Sequence, residues 1–147
     1  AINIAEEDVS SDALNAASCV EARTENYGAP MLITDVTFQA LEHPLDYAIR
    51  MVDRVLFKGE KESVALFEVM DGEAPKRHRA KVATAAMLGD GLGHYYSKEF
   101  DEALGYFNQC LEVDPDDKTV KLFVERATRF AKEGVSDDWT GVVELDE

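Results

Sequence analysis

The 147-residue chain is predicted to be an α+β protein, a small sheet-forming unit followed by a module of three helices. Three observations predict this. Short apolar runs at 31–33, 47–57 and 64–69 have strand length and are bounded by turn residues. Beyond residue 78, apolar residues recur at helical spacing in three blocks. Between the two patterns, Asp71-Gly72-Glu73-Ala74-Pro75-Lys76 concentrates turn formers and marks a boundary. The expected divisions are an α/β unit over 1–72, a linker over 73–78, helices over 79–134 and an acidic tail over 135–147.

The elements follow in order. Ile2 and Ile4 alternate with polar neighbours and suggest a short strand. From Ser11, a candidate N-cap, apolar or small residues at 13, 14, 17, 20 and 21/22 form an irregular helical stripe. It ends at Tyr27-Gly28, where glycine accepts the left-handed cap conformation, and Pro30 prevents continuation. Met31-Leu32-Ile33 reads as a buried strand and 35–41 as a short helix stopped before His43-Pro44. The strands at 47–57 and 64–69 are joined through a tight turn at Lys58-Gly59-Glu60-Lys61. Helices are expected over 79–96, 100–113 and 118–133, with Asp116 or Asp117 capping the third and Gly134 closing it.

Composition narrows the partners. With 30 acidic and 15 basic residues the formal charge is -15, which repels nucleic-acid phosphates and anionic lipid and favours a basic face on a protein partner. No apolar run approaches the roughly 20 residues of a membrane helix, and Ala1-Ile2-Asn3 opens no signal sequence. The chain is therefore expected to be soluble, in the cytoplasm or an organelle. Starting at Ala1 without Met, it reads as a processed product or a portion of a longer chain. Cys19 and Cys110 lack CxxC spacing and are expected to be reduced thiols in a non-oxidising compartment.

Five blocks in order resemble the closing third of a class III adenylate/guanylate cyclase domain. Asp12-Ala13-Leu14-Asn15-Ala16-Ala17-Ser18 resembles D-A-V-N-x-A-S, and Tyr27-Gly28-Ala29-Pro30-Met31-Leu32-Ile33-Thr34 resembles Y-G-x-P-I-L-I-S. Val36-Thr37-Phe38-Gln39-Ala40-Leu41 resembles the short helix that follows. Asp53-Arg54-Val55-Leu56-Phe57-Lys58-Gly59 resembles D-R-V-x-V-K-G, and Val64-Ala65-Leu66-Phe67-Glu68-Val69 resembles the last strand. Farther on, Phe100-Asp101-Glu102-Ala103-Leu104, Phe107, Leu111 and Asp114-Pro115-Asp116-Asp117 resemble half of a tetratricopeptide repeat, and Asp138-Trp139-Thr140-Gly141-Val142 resembles a tail motif of bacterial, especially cyanobacterial, cyclases.

The resemblance implies a partial cyclase-type, ferredoxin-like sheet followed by a tetratricopeptide-like module. In such cyclases, which work as dimers, two Asp hold metals, a Lys and an Asp or Thr read the base, and an Asn and an Arg steady the transition state. Both metal Asps and the base-reading Lys would lie upstream of residue 1. Asp8 matches the base-reading Asp and Asn15 the transition-state Asn, but the Arg position holds Cys19, which cannot donate a charged, bidentate fork. Lys58 and Gly59 match the family's turn, while Glu60 stands where relatives carry a second Lys facing the triphosphate. The expectation for Asp8 and Asn15 is nevertheless a helix-capping or solvent-facing role, which such side chains commonly take.

Other motifs carry no chemistry. Gly89-Asp90-Gly91-Leu92-Gly93 fails the phosphate-loop spacing and lies within a helical pattern, where close packing of helices is the expected reason for its glycines, with Gly91 and Ala103 at small-residue positions. Asp114, Asp116 and Glu125 fall at calcium-loop positions, but Lys118 and Thr119 occupy the fifth and sixth places. His43, His78 and His94 have no metal spacing. Neither a metal nor another cofactor is expected.

These readings lead to three expectations. The first is a non-catalytic, cyclase-derived scaffold subunit whose open sheet edge, and partner-binding residues Phe100, Phe107, Trp139 and Val142, dock on a larger assembly. The second is the C-terminal fragment of an active nucleotide cyclase. The third, a small-molecule sensor using the old cleft near Asn15 and Lys58, lacks an apolar lining in the sequence.

Overall fold

The computed structural model describes residues 24–43 and 46–145. The chain divides into two compact units, Ala1–Glu73 with Val142–Glu147, and Ala74–Gly141. The candidate strand at Ile2 and Ile4 and most of the helix expected from Ser11 lie outside the described residues.

The described part of the first unit opens on a helical turn at 24–27. It is closed by a Schellman arrangement: the Ala29 amide donates to the Thr24 carbonyl at 3.0 Å and the Gly28 amide to the Glu25 carbonyl at 3.2 Å. Gly28 takes the left-handed φ of 63° that this cap requires. Strand β1 (Leu32–Thr34) follows Pro30 and runs into helix α1 (Asp35–Ala40), for which the Thr34 hydroxyl accepts from the Thr37 amide as N-cap. Phe38 of α1 stacks on Phe67 with centroids 5.0 Å apart.

Strands β2 (Ile49–Leu56) and β3 (Val64–Val69) pair antiparallel, and β1 pairs antiparallel with the other side of β3. The β2–β3 register slips between Met51 and Asp53, so Val52 is an extra residue in β2. This bulge changes the phase of the strand: Arg50, Asp53 and Val55 all come to lie opposite Glu68, Leu66 and Val64, on one face. Leu32, Val55 and Leu66 are fully buried there.

A fourth strand, β4 (Val143–Glu144), pairs in parallel with the free side of β2, giving the order β1-β3-β2-β4. The Leu145 amide adds a bond of 2.9 Å to the Leu56 carbonyl, and the Leu145 side chain is buried. The open sheet edge expected from the sequence is thus covered over Val55 and Leu56 by the chain itself. The tail expected as one segment over 135–147 also needs correction, because residues from Val142 onward belong with the sheet.

The second unit holds helices α2 (Pro75–Tyr96), α3 (Phe100–Val113) and α4 (Lys118–Glu133), with α3 packed against both others. Pro75 occupies the first helical position, where its missing N–H costs nothing, so the stretch expected as a linker over 73–78 is helical from Pro75. Asp117 is the cap of α4, accepting from the Val120 amide, and Gly134 closes the helix at a φ of 76°. Tyr95 is buried at the centre of the unit, edge-on to Phe100, Phe123 and Trp139. Trp139 also meets Phe130, so the segment after α4 folds back on the helices. Gly91 is explained by packing against Phe107, whereas Gly89 and Gly93 face open space and the packing expected for them is absent.

Candidate functional site

The candidate site grows from β2 and the turn that follows it. The Glu60 amide donates to the Phe57 carbonyl at 3.0 Å, closing a four-residue turn with Gly59 at a φ of 87°. Only a residue without a side chain takes that conformation readily at the third turn position. The turn presents Lys58 and Glu60 to solvent, one cation and one anion two residues apart.

Two buried polar pairs involve β2. The Tyr27 hydroxyl donates to Asp53 Oδ2 at 2.6 Å, and both residues are buried, with exposures of 3% and 0%. Asp53 Oδ1 accepts from the Arg54 amide at 2.8 Å, which fixes the carboxylate plane. Two register positions along the ladder, Arg50 Nε donates to Glu68 Oε2 at 2.8 Å across the β2–β3 pair, with both side chains inside. Buried carboxylates persist only when their oxygens are bonded, and these are.

Asp8, Asn15 and Cys19 lie outside the described residues, and of the catalytic and nucleotide positions matched in the sequence only Lys58 is described. Sequence reasoning missed the Tyr27–Asp53 and Arg50–Glu68 pairs. A signal was present, since Asp53 and Glu68 interrupt otherwise apolar strands and Tyr27 and Asp53 belong to separate cyclase-like blocks. Among the residues assigned to a partner, Phe107 is fully buried and Phe100 nearly so. Their rings fill the helical core, so the docking role expected of them is corrected. Trp139 and Val142 are half-buried.

Among the described residues no group of three or more His, Cys, Asp or Glu is placed to hold a metal ion. No described helix is long and apolar enough to cross a membrane. Cys110 is buried on α3, with its thiol donating to the Thr84 carbonyl at 3.9 Å.

Tyr27, Asp53, Lys58 and Glu68 all fall within the cyclase-like blocks, and the chain is related in sequence to adenylate cyclases. It is 34% identical over 122 residues to the terminal-differentiation specific adenylate cyclase of Dictyostelium discoideum, a match covering 82% of this chain and 6% of that protein. It is 37% identical over 59 residues to an adenylate cyclase of Anabaena cylindrica, covering 40% of this chain and 12% of that one. The chain thus spans a small fraction of the length of either relative. No family model matches it. No solved structure matches it either. The expectation of a chain outside enzyme function is overturned here, because both relatives are named as cyclases and point to an enzyme family.

Proposed function

We propose that the chain is the C-terminal part of a class III-type nucleotide cyclase domain together with its tetratricopeptide-like helical extension, acting in cyclic-nucleotide formation within a larger cyclase. One observation carries this reading. A match of 122 residues is longer than Ala1–Glu73 or Ala74–Gly141 taken alone, so the likeness to the Dictyostelium adenylate cyclase runs through both units. A borrowed sheet fragment would share only the first.

On this reading Asp8 contacts the base, Asn15 steadies the transferring phosphoryl group and Lys58 faces the triphosphate from its turn. Charge placed where the transition state develops charge is the main source of rate in phosphoryl transfer. Cys19 cannot supply the cation its position calls for, so that charge comes from another group of the assembly. Glu60 lowers the attraction of the turn for a polyanion. The described residues bring together no group of three or more metal-ligating side chains, and no step is assigned to a metal here.

The test uses the longest native polypeptide that carries this sequence, incubated with ATP or GTP and either magnesium or manganese. Cyclic product that falls on Asn15→Ala and on Lys58→Ala supports the reading. A folded native polypeptide that yields no product from either nucleotide with either metal would sink it.

A further inference from the structure

We propose that residues 135–140 form a hinged strap over the aromatic core of the helical unit, and that Lys98 is its latch. The inference is independent of the cyclase reading, and every residue it concerns lies within Ala74–Gly141.

The latch begins as a backbone anomaly. Helix α2 ends in a Schellman arrangement, in which the Glu99 amide donates to the His94 carbonyl at 2.9 Å and the Lys98 amide to the Tyr95 carbonyl at 3.0 Å. The same cap closes the helical turn at 24–27, where Gly28 fills the left-handed place. Here that place is filled by Lys98 at a φ of 65°, the one non-glycine residue with a left-handed φ among the described residues. A β-carbon makes this conformation unfavourable, so glycine would be the easier choice unless the side chain has a task. The task is visible. Lys98 Nζ donates to the Asp137 carbonyl at 3.0 Å and, more weakly, to the Ser136 carbonyl at 3.4 Å. Bonds from an ammonium are stronger than those from a neutral donor.

The bonded carbonyls belong to a segment that can move as one piece. The Trp139 amide donates to the Ser136 carbonyl at 3.1 Å and the Ser136 hydroxyl to Asp138 Oδ1 at 2.7 Å, so 136–139 is a closed turn. Left-handed glycines bracket it, Gly134 at a φ of 76° and Gly141 at 80°. A β-carbon at Gly134 would meet nothing within 4 Å, so what glycine supplies there is torsional freedom. Ser136, Asp137 and Asp138 are exposed, while the Trp139 ring meets Tyr95, Phe100 and Phe130 with centroids 5.4, 5.4 and 5.5 Å apart. A polar turn carrying one aromatic plug, with a glycine hinge on each side and a cation holding its backbone, can uncover that ring-lined floor while α2, α3 and α4 stay folded. Local opening of this kind costs less than global unfolding because few apolar contacts are broken.

The experiment compares Lys98→Gly, Lys98→Met and Lys98→Arg with the wild type in the 147-residue chain, with fluorotryptophan at Trp139, its one tryptophan. Fluorine NMR relaxation reads the open population and a thermal melt reads the helices. Lys98→Gly loses the latch but suits the cap, and is expected to raise the open population about 10-fold, as loss of a hydrogen bond to a charged group does, while melting no lower than the wild type. Lys98→Met keeps the strained backbone and is expected to open to the same extent. Lys98→Arg keeps a cation with donors and is expected to stay within about 3-fold of the wild type. A wild-type open population in Lys98→Gly overturns the latch. So does a Lys98→Arg variant as open as Lys98→Gly, because the charged donors would then not be what holds the strap. Opening in Lys98→Gly that comes with a lowered melting temperature overturns it as well, by showing that Lys98 supports the helices as a whole.

Discussion

Gly91 of α2 lies so close to the ring of Phe107 on α3 that a β-carbon built on it would stand 2.6 Å from the ring edge. The contact fixes how near the two helices approach. Gly91→Ala is expected to push them apart and destabilise the helical unit by about 1–3 kcal/mol, as overpacking does. Gly89, two residues before Gly91, meets nothing within 4 Å, so Gly89→Ala is expected to stabilise the same helix by about 0.5–1 kcal/mol. Thermal melts of the two variants should move in opposite directions. Movement in the same direction would mean that α2 and α3 do not meet at Gly91.

Arg50 and Glu68 offer a second measurement. Replacing one partner strands a charge inside the sheet, and either Arg50→Met or Glu68→Leu should cost about 3–5 kcal/mol in urea unfolding. The double replacement is expected to regain most of that loss, because two apolar groups leave no unpaired charge. A double variant as unstable as the sum of the singles would show that the pair is not isolated from other groups.

Trp139 is the chain's one tryptophan, so its emission reports its surroundings without interference. Ring contacts with Tyr95, Phe100 and Phe130 predict blue-shifted fluorescence in the folded chain. Gly141→Ala should redden it, since a β-carbon there would lie 2.7 Å from the Tyr96 ring and 3.1 Å from Trp139, at a φ of 80°. Emission like that of free tryptophan in the wild type would contradict the folded-back segment.

Asp138 carries the pH dependence that can be read from this structure. The Ser136 hydroxyl donates to its Oδ1 at 2.7 Å, and this bond, with that of its own backbone amide and the nearby charge of Lys98, holds the carboxyl below the usual carboxylate range. A depressed value in the folded state means that the stabilisation is fully present above the ordinary carboxylate value and is lost as pH falls through the lowered one. The exposed position keeps the effect small. Ser136→Ala should raise the Asp138 titration midpoint in a carboxyl-resolved NMR experiment, and an unmoved midpoint would remove the bond from the account.

Much of the fold was legible in the sequence where elements are local and periodic. The expected strand at 64–69 and the helices at 100–113 and 118–133 coincide with β3, α3 and α4. Helix α2 starts four residues before the expected 79, because Pro75, counted among the turn formers of the boundary, opens a helix when it stands at the first helical position. Strand β4 was not legible: it is two residues long, one of them Glu144, and α2, α3 and α4 separate it in sequence from its partner β2. The bulge at Val52 was equally hidden, and with it the inward turn of Asp53. Of the site, the Lys58-Gly59 turn was readable from glycine chemistry, while the Arg50–Glu68 pair depends on a cross-strand register that periodicity alone does not specify.

The parallel strand at Val143 and Glu144 also imposes a schedule on the making of the protein. Strand β2 leaves the ribosome early, but the residues that seal it at Val55 and Leu56 are translated only after α2, α3 and α4. At about 5–20 residues per second that interval lasts several seconds, during which the nascent sheet offers unpaired amides to any neighbouring chain. The unit begun first is therefore finished last, and a message cut short between Glu133 and Val143 releases a product with complete helices and an unsealed sheet.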